Sequence, residues 1–134
     1  MEDKVKFEIK RIHKEFVNWY RGVTTKDKNT FEKLIKNHLD ETFQIIFPDS
    51  SSHSKNKLCS QIFKDHNSSP DFKITIKKIK LNKLSPQIFL AQYEEWQSWS
   101  EKGKKKGKGI KTSSILKLIK GKIIWIHIHE TLIK

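Results

Sequence analysis

A single cysteine stands in the 134 residues, at position 59, and its solitude excludes an internal disulfide and any cysteine-built zinc site. It follows Leu58 and lies close to Ile62 and Phe63, an apolar setting in which a thiol packs as a small inert hydrophobe. Arginine is nearly as scarce, at positions 11 and 21 only, although the net charge is +13. That charge is almost all lysine, which lacks the planar fork that grips phosphates and reads guanines. A chain rich in Lys, Ile and Asn is also what an AT-rich genome encodes. No apolar run approaches the roughly 20 residues a membrane helix needs, and the start is charged from Glu2 onward, without the apolar core of a secretion signal. A cytoplasmic protein is the expectation. A Gly-rich phosphate loop, a Ser nucleophile elbow and an HExxH helix are all missing.

What is present suffices for one core. The apolar fraction is only 35%, but it includes eight Phe and four Trp, which bury much area per residue. Val5, Ile9, Ile12, Phe16, Trp19 and Tyr20 recur at three- and four-residue intervals, predicting an amphipathic helix over about 3–21 that Gly22 ends. A shorter helix is expected over 27–37 around Phe31, Leu34 and Ile35. Phe43, Ile45 and Phe47 alternate up to Pro48 and read as a strand over 42–47. The polar run Asp49 to Ser52 supplies caps for a third helix over about 54–66. After Pro70 everything reads as strands, at about 72–81, 87–99, 110–120 and 122–133. The phase of the first shifts at Lys77-Lys78, predicting a bulge, and Lys120-Gly121-Lys122 makes a tight hairpin. No repeat or linker divides the chain, so residues 1–134 form one domain.

Two strands carry chemistry. In Trp125-Ile-His-Ile-His-Glu-Thr131, strict alternation puts Ile124, Ile126 and Ile128 on one face and Trp125, His127, His129 and Thr131 on the other. The two imidazoles would lie about 6.5–7 Å apart along the strand. Without a third ligand at fixed spacing, acid–base or hydrogen-bonding duty in a pocket, or bonds to backbone and interface groups, are preferred to a metal. In Tyr93-Glu-Glu-Trp-Gln97, alternation groups Tyr93, Glu95 and Gln97. A Glu in a strand facing a mostly apolar concavity needs a partner and has a raised pKa; on the convex face it is merely solvated or at a dimer contact. Neither metal nor cofactor is expected.

Residues 101 to 111 hold six Lys against one Glu, five of the thirteen net charges. The stretch reads as a long, flexible, self-repelling hairpin loop. Its functional use would be a clamp on phosphates or nucleic acid through Lys102, Lys104, Lys105, Lys106 and Lys108. No helix-turn-helix or aromatic platform accompanies it, which argues against sequence-specific binding.

The order helix, helix, strand, helix and four strands, ending in Trp-x-His-x-His, resembles the cone-shaped α+β superfamily of nuclear transport factor two, SnoaL-like polyketide cyclases and ketosteroid isomerase. The residues carrying the resemblance are Phe16 to Tyr20, Phe43 to Pro48, Tyr93 to Gln97, Thr112 to Ser114 and Trp125 to Thr131. The association domain of calmodulin-dependent kinase II shares that fold. The resemblance implies three helices on the concave face of a strongly curved antiparallel sheet, with a pocket at the open end, and a homodimer through the sheet's outer face. It implies a small-molecule pocket lined by Trp19, Tyr93, Glu95, Gln97, Trp125, His127 and His129. An isomerase base would fall near Asp40 and Glu41, but no Tyr-Asp pair aligns with the oxyanion hole. A cyclase would move a proton with Glu95 and His127 or His129. The superfamily also hosts assembly modules, so fold alone does not choose between a ligand-binding protein, an enzyme and an oligomerisation domain.

Overall fold

The computed structural model describes residues 1–134. Helix α1 spans Glu2–Tyr20 and turns Val5, Ile9, Ile12 and Trp19 fully inward, the stripe that its three- and four-residue spacing dictates. Gly22, at φ +77°, lets the chain leave the helix. Helix α2, Lys28–Leu34, is capped by Asp27, whose side chain accepts from the Thr30 N–H. It stops three residues before the expected end, and a 3₁₀ turn at Lys36–His38 leads straight into β1, Leu39–Ile46. A short strand β2, Ser52–Ser54, precedes helix α3, Lys55–Lys64, capped by Ser54.

Four long strands follow: β3 Lys73–Ser85, β4 Ile88–Glu101, β5 Lys104–Ile119 and β6 Lys122–Leu132. The sheet order is β2-β1-β6-β5-β4-β3, antiparallel except where β1 runs parallel to β6. The helices lie on the concave face, and the core between the layers is built from Ile9, Phe43, Phe89, Leu116 and Trp125 among others. The fold is thus α+β, a curled sheet wrapped by three helices.

Two of the sheet's register shifts decide which side chains face the cone. In β3, Lys78 and Ile79 stand opposite Tyr93 alone, with Lys78 at φ +57°, where the phase shift had predicted it. In β6 the register runs from Leu116↔Trp125 to Ile115↔His127, leaving Ile126 as an extra residue. This second bulge overturns the strict alternation expected for the last strand. Trp125 faces the core, but beyond the bulge Ile128 and Glu130 face inward while His127 and His129 turn outward.

The lysine stretch also departs from expectation. It is not a long loop: β4 and β5 stay paired from Ile88↔Lys117 out to Glu101↔Lys104. Only Lys102 and Gly103 turn, both at positive φ, as a tight hairpin of this twist requires. Lys120 and Gly121 close the next hairpin the same way.

Candidate functional site

Inside the cone is a cavity of about 370 Å³, bounded by α1, β1, α3, the turn at Ser68–Phe72 and the inner faces of β3 to β6. Its floor carries three titratable groups. His13, one turn after Ile9 on the buried stripe of α1, sets Nδ1 2.6 Å from the Ile9 carbonyl and Nε2 3.1 Å from Glu95 Oε1. Both His13 and Glu95 are almost completely buried. A ring whose two nitrogens both face acceptors donates from both only as the imidazolium. Burial alone would lower the pKa of His13, but the Glu95 carboxylate and the Ile9 carbonyl raise it overall. Burial likewise opposes ionisation of Glu95, and His13, with Gln97, outweighs it and holds the carboxyl below its usual range. Gln97 Nε2 donates to Glu95 Oε2 at 2.5 Å, which fixes the second oxygen.

The third group is Glu130. Its side chain lines the cavity, has no hydrogen-bond or ion-pair partner, and leaves the residue only 8% exposed. Burial, and then the nearby negative charge of Glu95, push its pKa up to about 7. At neutral pH this cavity therefore presents an ion pair and a half-protonated acid. Beneath them Tyr93 lies edge-on to His13 at 5.7 Å and bonds Ser114 Oγ through its hydroxyl at 3.1 Å. Burial and Glu95 raise the Tyr93 pKa well above normal, so it stays a phenol. Thr112, in register between Tyr93 and Glu130, keeps a buried hydroxyl without a partner.

Of the residues singled out from the sequence, Glu95 and Gln97 line this cavity. Trp19 does not: it is core, donating from Nε1 to the Ile62 carbonyl at 2.8 Å and packed on Phe31, Phe63 and His66. Tyr93 and Trp125 are buried beneath the cavity wall. Trp125 Nε1 donates to Glu8 Oε2 at 2.9 Å, and Glu8 is held by Arg11 through two bonds. His127 and His129 lie on the outer face with ring centroids 6.5 Å apart, and no three His, Cys, Asp or Glu side chains gather as a metal site. Asp40 is occupied by Lys117 at 2.8 Å and Thr42, and Glu41 by Lys55 at 2.9 Å, so neither reaches the cavity. The residues missed are His13 and Glu130. His13 was legible as the polar member of an apolar stripe, at i+4 from Ile9. Glu130 was hidden by the bulge.

No protein-family model and no curated protein matches the chain. Solved structures do. An NTF-2 like protein of unknown function from Pseudomonas aeruginosa superimposes with a TM-score of 0.87 at 19% identity, over 98% of this chain and 99% of that one. An uncharacterized protein with a cystatin-like fold from Caulobacter vibrioides gives 0.70 at 13%, over 99% and 89%. The CaMKII hub homology domain of Chlamydomonas reinhardtii gives 0.64 at 14%, over 78% and 85%. With the curled sheet, the three helices and the cavity between them, these matches identify the chain as having the cone-shaped NTF2-like, or cystatin-like, fold.

Proposed function

We propose that this protein binds a small molecule with an apolar body in the cone, oriented by the Glu130 carboxyl. The observation that carries the reading is Glu130 itself. An unpartnered carboxyl facing a cavity costs stability unless a ligand uses it. Ten of the 17 lining residues are hydrophobic, which suits an apolar body rather than a sugar or nucleotide. Protonated, Glu130 donates to a carbonyl or hydroxyl oxygen; His13 and Glu95, satisfied by each other, form its rigid support.

The test uses the neutral dye N-phenyl-1-naphthylamine, which brightens in apolar sites. Saturable binding lost in Ser69→Trp, which plugs the cavity wall, with an unchanged melting temperature, supports the reading. Binding unaffected by the plug, or no binding, removes it.

A second reading is proton transfer, favoured by one observation: an acid with pKa near 7 beside a fixed ion pair has the poise of a general acid or base. In this reading Glu130 and Glu95, with His13 in place of His127 and His129, act on a carbonyl compound. Deuterium exchange next to the carbonyl of bound aromatic ketones, lost in Glu130→Gln and in Glu95→Gln, would support it; exchange at the solvent rate would sink it. Assembly is the third role, considered below at the scale of the whole molecule.

A further inference from the structure

We infer that the ligand of this cavity is an organic anion, its negative group held at the open end by Lys108 and Lys106. The inference rests on the proposal that the cone binds a small molecule, and it names that molecule's class. Along β4 the inward residues Tyr93, Glu95, Gln97 and Trp99 pass from buried to half-buried, so they mark depth. Across on β5 the same rows read Thr112, Ile110, Lys108 and Lys106. The deep end of the cone thus holds the acids and the open end two lysines beside a tryptophan.

Two observations point these exposed lysines at the cavity. Lys108 lines the cavity, and its ammonium stands 5.9 Å over the ring of Trp99, another lining residue. Neither Lys108 nor Lys106 forms an ion pair, whereas Lys105 between them points to the other face and is taken by Asp71 at 3.0 Å. Asp71 is further occupied by Ser100, so it is not free to neutralise the mouth. β5 lies between β4 and β6 only from Ile110 onward; its Lys104–Lys108 end runs past β6 and pairs with β4 alone, so these lysines stand at the rim of the cone with their ammonium groups in solvent. The inference therefore rests on the place of Lys108 against Trp99 in the cavity wall and on the absence of a carboxylate paired to either lysine. Glu95 and Glu130 lie deeper: the row of Glu130 is four residues of strand from that of Lys108, about 13 Å at the usual rise. A ligand spanning both has an apolar middle, an oxygen at the deep end and an anion at the mouth. Ammonium groups attract as point charges, so carboxylate, sulfonate and phosphate are equivalent at this resolution of chemistry.

A matched pair of dyes tests this. N-phenyl-1-naphthylamine and 8-anilino-1-naphthalenesulfonate share one aromatic skeleton and differ by a sulfonate. The sulfonate should bind about five- to tenfold more tightly, losing that advantage in Lys106→Gln/Lys108→Gln while the neutral dye is unaffected. Lys102→Gln/Lys104→Gln removes equal charge at the hairpin tip and should change neither. Equal affinity for the two dyes, or an advantage lost equally in both double variants, overturns the anion assignment and leaves the cavity reading standing. Failure of both dyes, or binding of both that survives Ser69→Trp, overturns the cavity reading along with it.

Discussion

Glu130 couples the cavity to the stability of the fold. In the unfolded chain a glutamate titrates near 4.3, whereas here it titrates at about 7. Between those values the folded state binds the extra proton, so stability falls as pH rises and levels off above 7. The full difference is about 4 kcal/mol. Glu130→Gln should match the wild type near pH 4.5 and exceed it at pH 8, read as urea midpoints across that range. His13 titrates in the same sense as Glu130, and Glu95 in the opposite sense. The raised His13 contributes below its unfolded value of about 6.5 and the lowered Glu95 above about 4.3, so the pair supports the fold most strongly between them. Glu95→Gln or His13→Leu leaves a buried charge alone and should cost about 3–5 kcal/mol by denaturant unfolding, with the double variant costing less than the sum.

At the level of elements, the helices and hairpins follow from local rules. The stripe of α1, the caps at Asp27 and Ser54 and the phase shift at Lys77-Lys78 each state their consequence within a few residues. The bulge at Ile126 has no such signature: Ile-Trp-Ile-His-Ile-His alternates perfectly, and only pairing with β5 reveals the extra residue. A one-residue slip exchanges faces, which is why Glu95 and Gln97 were found from the sequence while His127 and His129 were placed on the wrong side. The lysine stretch misled because charge was read as loop, whereas long lysine stems lie well along a strand that a two-residue turn registers. Local rules also give sharp expectations here. Gly22→Ala meets both a positive φ and the Asn67 side chain, and should cost about 2 kcal/mol in a melt. Lys120→Asn, at φ +50° in the β5–β6 turn, should instead add about 0.5 kcal/mol.

The whole molecule has one layer of helices and one bare face of sheet. That outer face presents Trp96, 39% exposed and lying over Gly109, and, two strands away and further along the sheet, His127 and His129. We propose that a second copy covers it, since an exposed tryptophan on a bare sheet face marks an interaction surface. Light scattering should give twice the chain mass, and Trp96→Lys should halve it; a monomer at all concentrations removes the proposal. The lysines offer no comparable surface. They alternate between the faces of β5, one engaged by Asp71 and one at the rim of the cone, so any retention of an oligonucleotide should vanish at physiological salt.

The parallel joint between β1 and β6 sets the order in which this molecule can be made. Leu39 waits for Trp125, and Ile46 for His129. A growing chain can pair β1 with β2 early, but its other edge stays open until β6 has been made. Such distant pairing is slow to find, and the strand that completes it also brings Glu130. The part of the cavity wall that Ile128 and Glu130 form is thus completed together with the β1–β6 joint.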